Sequence, residues 1–273
     1  MRNFDQLIES LANHGVPKKE LKALRDMTGH LSRLDKYYAR VGLPNLQSLK
    51  LQKILAQFMI SSTAIFLLKK YTGKKILVVQ GTARVLPGTH AYDRIVRLTR
   101  LAGPDWIIVH GGGGGIMDAA RVGGLMGGSI TVGLHFDSEF VINGASGTVD
   151  QINLYHTEFY SRMFAFLEYA DAIVIDEGGL GTLQEKSWAE GCIQCGIHRA
   201  IPIFVLSKNF WKHLANHTDL LIEQKLASPQ DQFLIRVVDD GKEEEVYSRI
   251  AAYYAARPDL VAAQLAALGV GGT

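Results

Sequence analysis

The chain predicts an α/β protein built on a doubly wound, Rossmann-like parallel sheet, with a helical layer before the sheet and a helix after it. Three observations carry this. From Lys74 onward, short runs of β-branched and other apolar residues alternate with helical stretches. These runs are apolar at nearly every position, which marks strands buried on both faces by helices. Two of them open directly into glycine-rich loops: WIIVH (106–110) into Gly111–Gly115, and AIVID (172–176) into Glu177–Gly181.

Taken in order, the chain is helical up to Gly73. Phe4 to Asn13 is an amphipathic stretch closed near Gly15, and Pro17 is placed to start a second helix. A Gly42-Leu43-Pro44 break precedes a long helix that reaches about Lys70. The period then changes. ILVVQ (76–80), WIIVH (106–110), ITVGL (130–134), AIVID (172–176) and IFVL (203–206) read as strands, and FLIRVV (233–238) as one more. The resulting division is a helical extension over 1–73, a doubly wound α/β core over 74–240 and a C-terminal region over 241–273. The last region holds a helix from Lys242 and another over Leu260–Leu268, before a frayed end.

Composition bounds the function. With 273 residues, 47% hydrophobic and 21% charged, the chain can bury a sizeable core. A net charge of +2 lacks the basic excess of a nucleic-acid surface. MRNFDQLIES has no secretory pattern, and Ile54–Leu68 carries Gln57, Ser61, Ser62 and Thr63, too polar for a membrane span. The expectation is a cytoplasmic protein that binds neither membrane nor nucleic-acid polymer. Cys192 and Cys195 form a C-x-x-C pair, but a zinc site needs two more ligands and His198 is the nearby candidate. Trp188, Cys192 and Cys195 share a helical stripe, which favours core packing. No metal or cofactor is expected.

Ligands of such sheets bind beyond the carboxyl ends of the strands. Gly81-Thr82-Ala83-Arg84, the five-glycine loop and Gly178–Thr182 all fall there. Glycine lets backbone N–H groups crowd an anion, and a helix N-terminus adds partial positive charge. The dinucleotide fingerprint fails, because its third glycine would fall at Ile116 or Met117. A P-loop fails for want of Gly-Lys followed by Ser or Thr. His110, ending a strand, reads as a satisfied strand-end histidine. His156, among Tyr155, Phe159 and Tyr160, reads equally as part of a base-stacking cluster or of an aromatic core.

The combination is more specific than its parts. GGGGGIMDAARVGG (111–124) resembles the G-G-G-P-G-I-M-E-A-A segment of the Lonely Guy family, and EGGLGTLQE (177–185) resembles its P-G-G-x-G-T-x-x-E motif. YHTEFYSRMFAFLEYADAIVID (155–176) is similar to the segment between them, and Gly81–Arg84 to a Gly-Ser-x-Arg loop of many members. The resemblance covers roughly 74–200, and the helical extension resembles the longer, non-plant branch. It implies hydrolysis of the N-glycosidic bond of a nucleoside 5′-monophosphate, AMP-like, to free base and ribose 5-phosphate, by a homodimer or higher homo-oligomer.

The resemblance also implies roles. Glu185 would stabilise an oxocarbenium-like ribose and activate water, as carboxylates do in glycosidases. Arg162 would hold phosphate or ribose oxygens and orient Glu185. Gly178, Gly179, Gly181 and Thr182 would cradle the 5′-phosphate. Gly112, Gly113 and Gly115 would line the ribose side, with Asp118 as hydroxyl acceptor or second acid. Gly81, Thr82 and Arg84 would complete the site, Arg84 as phosphate ligand or dimer contact.

Four positions depart from the family pattern. Glu177 replaces a proline, Met163 a lysine, Gly114 a proline and Asp118 a glutamate. Glu177 sets a negative charge beside the phosphate site unless it points away or meets a cation. The rival reading is a non-catalytic nucleotide or molybdenum-cofactor binder on the same fold. An amino-acid decarboxylase is disfavoured, since no lysine stands in a recognisable pyridoxal-binding context.

Overall fold

The run at which the period changes, KILVVQ, forms the central strand β1 (Lys75–Gln80), buried from Ile76 to Gln80. Successive side chains leave it on opposite faces, as a strand requires. Ile76 and Val78 enter one core, and Leu77 and Val79 enter another. The other strands are β2 (Trp106–His110), β3 (Ile130–Phe136), β4 (Ile152–His156), β5 (Ala172–Ile175), β6 (Ile203–Val205) and β7 (Ile235–Val237). They form one sheet in the order β4-β3-β2-β1-β5-β6-β7, and every pairing is parallel. This computed structural model describes residues 4–28, 45–136, 150–228 and 234–257.

Helices cover both faces, because strands buried on each side leave no face for water. On the face of Ile76 lie α1 (Phe4–Asn13), α2 (18–28) and α3 (Asn45–Thr72), with α6 (Phe159–Leu167), α7 (Leu180–Gln194) and α8 (Lys208–Glu223). On the face of Leu77 lie α4 (His90–Ala102), α5 (Ile116–Gly127) and α9 (Glu245–Ala255). The sheet is doubly wound. The helical extension shares its core with the sheet, and a buried polar contact fixes the docking: Lys69 Nζ of α3 donates to Asp171 Oδ1 at 2.8 Å, while Ile76 N donates to Asp171 Oδ2 at 2.7 Å.

Several expectations are refined. β4 was not anticipated: INLYH is buried only at alternate positions, since it is an edge strand and lacks the continuous apolar run of the inner strands. The last long helix starts at Glu245 rather than Lys242. Cys192 is buried, but Cys195 is exposed at the end of α7, so only one of the pair packs in the core. The Gly42–Pro44 break and the helix expected over Leu260–Leu268 lie outside the described residues. Among the described residues no helix is long and apolar enough to cross a membrane.

Candidate active site

Strand order builds the site. β2, β1 and β5 are neighbours, so the loops that follow them meet at one end of the sheet. Backbone hydrogen bonds join all three: Thr82 N donates to Glu177 O at 2.8 Å, and Ile116 N to Thr82 O at 2.9 Å. Gly115, at φ +63°, makes the closest approach. A Cβ there would strike Thr82 O and the Ala83 backbone, so the junction tolerates no side chain.

A cavity of about 570 Å³ opens between the loops. Its wall brings together Gly81, Thr82 and Arg84 after β1, Gly111 after β2, Gly179, Gly181, Thr182 and Glu185 of the α7 region, and Arg162 of α6. Gly179 caps α7 in an extended conformation, and Leu183 N closes the first helical bond onto Gly179 O at 3.0 Å. The amides of that first turn have no helical acceptors, and the helix dipole makes this end a ready anion site. Arg84 is exposed at the cavity and has no ion pair among the described residues.

Arg162 and Glu185 face each other across the wall, with Arg162 Nη1 3.6 Å from Glu185 Oε1. Their exposures are 6% and 8%. Arg162 is held from three sides. Its Nε donates to Leu134 O at 2.9 Å, its Nη2 to Gly111 O at 3.2 Å, and its guanidinium lies 4.4 Å from the Phe136 ring centroid. Burial raises the Glu185 pKa above the usual range, and the Arg162 charge opposes this without cancelling it. Burial lowers that of Arg162, opposed by Glu185. Among the described residues no hydrogen bond to this carboxylate is found, so Arg162 is its charged neighbour and its remaining acceptor capacity faces the cavity.

Other expected residues are placed elsewhere. From the five-glycine loop only Gly111 is in the cavity wall. Gly112 backs onto the His135 ring, Gly113 onto Met117 and Gly115 onto the β1 loop, so these three shape the turn instead of lining the cavity. Gly178 backs onto the Thr182 side chain. Asp118 lies outside the wall and is already engaged: Tyr92 Oη donates to Oδ2 at 2.7 Å, and Arg121 Nη2 donates to Oδ1 at 2.5 Å. Met163 is buried in the position of the family lysine.

Both histidines are satisfied. Gly112 N donates to His110 Nδ1 at 3.1 Å, so the His110 proton sits on Nε2 and is donated to Asp150 Oδ1 at 2.8 Å. Burial pushes Asp150 up, but His110 and His135 outweigh it and hold this carboxyl well below its usual range. His156 is fully buried, bonded to Ser61 Oγ at 3.1 Å and Ser161 Oγ at 2.9 Å. Burial, with the nearby Arg162 charge, pushes it down to about 3. The aromatic cluster around it divides: Phe159 lines the cavity, Tyr155 stacks on His135, and Tyr160 is exposed.

Glu177 does meet a cation. Ser207 Oγ donates to its Oε1 at 2.7 Å, and Arg94 Nη2 lies 3.7 Å from the same oxygen. The buried Arg94 also pairs with Asp176, its Nε donating to Oδ2 at 3.0 Å. The charge at the position of the family proline is thereby held by Ser207 and the buried Arg94. Glycine motifs could not disclose Gln80, Met117 and Phe166, which also line the cavity. For Gln80 the signal was available: a polar residue ends an otherwise apolar strand. Among the described residues no group of three or more His, Cys, Asp or Glu is disposed to hold a metal.

A parallel sheet carrying three joined loops, an open helix N-terminus and a buried guanidinium–carboxylate pair defines a Rossmann-like α/β protein with one candidate site at the strand ends. Residues 114–247 match the family described as "Possible lysine decarboxylase". That match spans just under half of the chain and agrees with the resemblance to the Lonely Guy family. No curated protein matches it in sequence. Among solved structures it is similar to the structural-genomics target TM1055 (22% identity, TM-score 0.47, covering 65% of this chain and 99% of the other). It is also similar to the molybdenum cofactor carrier protein of Chlamydomonas reinhardtii (16%, 0.46, 66% and 99%). A third is the molybdenum cofactor binding protein of Rippkaea orientalis (21%, 0.45, 66% and 97%).

Proposed function

We propose that the protein hydrolyses the N-glycosidic bond of a nucleoside 5′-monophosphate, giving free base and ribose 5-phosphate. The observation that carries this is the Arg162–Glu185 pair opening on the same cavity as the α7 N-terminus. The 5′-phosphate would sit against Gly179, Gly181 and Thr182, with Arg84 at the mouth. As the C1′–N bond breaks, the base leaves with the bonding electrons and takes up a proton from solvent. Water adds its oxygen to C1′, Glu185 accepts the water proton, and its negative charge stabilises the cationic ribose. Arg162 keeps Glu185 in place and its charge favours the ionised form.

The same reading has the enzyme working in the cytoplasm as a homodimer or higher oligomer. Met59 of α3 with Tyr160 and Phe164 of α6 supports assembly, because these large apolar side chains are exposed on helices that touch each other.

A second reading, a non-catalytic nucleotide or molybdenum-cofactor binder, draws on one observation. Two of the Arg162 nitrogens are committed to backbone carbonyls, as a structural arginine would be. Incubating the purified protein with a panel of nucleoside monophosphates, and following base and ribose 5-phosphate by chromatography, tests both. Release from any of them supports the hydrolase. Saturable binding without release from the whole panel supports the binder.

A further inference from the structure

Behind Glu185 lies a second, small cavity of about 10 Å³, walled by Gln80, Phe166, Glu185 and Trp188 among others. Gln80, Phe166 and Glu185 also line the main cavity, so they form the partition between the two. The volume is that of a single water. Its polar lining is unusual for so apolar a place. Gln80 Oε1 and Trp188 Nε1 are both closed to solvent and have no hydrogen-bond partner among the described residues. Gln80 as a whole is 3% exposed.

One is an acceptor and the other a donor, on two residues that wall the same space as Glu185, for whose carboxylate no hydrogen bond is found among the described residues. Buried polar groups are almost always paired, directly or through an ordered water. Glu185 and Trp188 are three residues apart on α7 and so share a helix face. The Trp188 ring is held edge-on by Phe164, with centroids 5.2 Å apart.

We propose that one internal water occupies this cavity, accepting from Trp188 Nε1 and donating to Gln80 Oε1 and the Glu185 carboxylate, which makes Gln80 a positioning residue for Glu185. Three partners are what a buried water ordinarily makes. A donor aimed at the inner side of the carboxylate holds its plane and favours its ionised form against burial. The effect on turnover rests on the hydrolase reading; the water and its effect on Glu185 do not.

The test begins with a high-resolution crystal structure of the full chain. An ordered water within hydrogen-bond reach of Gln80, Trp188 and Glu185 is expected; none in that cavity overturns the proposal. Gln80→Met and Trp188→Phe each remove one partner. In each, the water should be lost and the Glu185 titration midpoint, followed by carboxyl 13C NMR, should rise by about one pH unit. An acid limb of turnover shifting the same way joins the water to the chemistry. If one substitution prevents folding, the other decides. An unchanged Glu185 titration in a folded variant overturns the positioning role. The water and the shift without turnover on any nucleotide keep this proposal and remove the hydrolase reading.

Discussion

Arg162 Nη1 and Glu185 Oε1 stand 3.6 Å apart, too far for a good hydrogen bond and close enough for strong attraction between two buried charges. Each makes the other's ionised form tolerable. Glu185→Gln removes the base while keeping the shape, so turnover should fall by roughly 10²–10⁴, with nucleotide affinity nearly unchanged. Arg162→Ala should weaken binding and turnover together. It should also destabilise the fold by about 3–5 kcal/mol, because it strands a buried carboxylate. Turnover, affinity and thermal midpoints of both variants beside the parent check this.

Stability should depend on pH through His156. In the unfolded chain a histidine takes up its proton near pH 6.5, but in the fold His156 resists until about 3. Between these values the unfolded state binds the extra proton, so stability falls as pH falls. His156→Gln should flatten that slope. Urea midpoints measured from about pH 7 down to about pH 4 give the answer: an equally steep loss in the variant would place the acid sensitivity elsewhere.

The Arg94 network beside the Glu177–Gly181 loop should show two magnitudes. Arg94 is 1% exposed and pairs with the fully buried Asp176, so Arg94→Met should cost about 3–5 kcal/mol by leaving that carboxylate unpaired. Glu177 is more than a third exposed, and Glu177→Gln should cost under about 1 kcal/mol. Denaturant unfolding of the two variants separates them. Equal losses would mean that Glu177 bears as much of the loop as Arg94 does.

Two loop glycines should respond in opposite ways. Gly115→Ala forces a side chain into positive φ and against Thr82 O, costing about 1–3 kcal/mol or more. Gly179 has φ −90° and open space around its Cα, so Gly179→Ala should cost less than about 1 kcal/mol. Its added methyl lies at the cavity wall and should instead weaken binding of a phosphate-bearing ligand. Melting and ligand titration of both variants test the contrast.

Where the chain's own pattern was strong, the structure follows it. WIIVH is the strand 106–110 residue for residue, and the helix after EGG begins at Leu180. Continuous apolar runs can be satisfied only by burial on two faces, which is why the inner strands were legible. β4 was not, because INLYH sits at an edge and needs burial only on alternate residues. The glycine loops were legible as turns, but which glycines border the cavity was not. That depends on neighbours remote in sequence: His135 beside Gly112, Met117 beside Gly113 and Thr82 beside Gly115.

The sequence by itself determined the α/β class and the three glycine-rich loops at the strand ends. These are local: they follow from side-chain periodicity, glycine content and spacing along one stretch of chain. Only the tertiary structure decided that Arg162 reaches Glu185, that Glu177 meets Arg94 and Ser207, and that Asp118 is committed to Tyr92 and Arg121. Each of these is a contest for a charged group between solvent, a neighbour and the cavity. The winner is set by distance and burial across elements, which the linear order of residues does not contain.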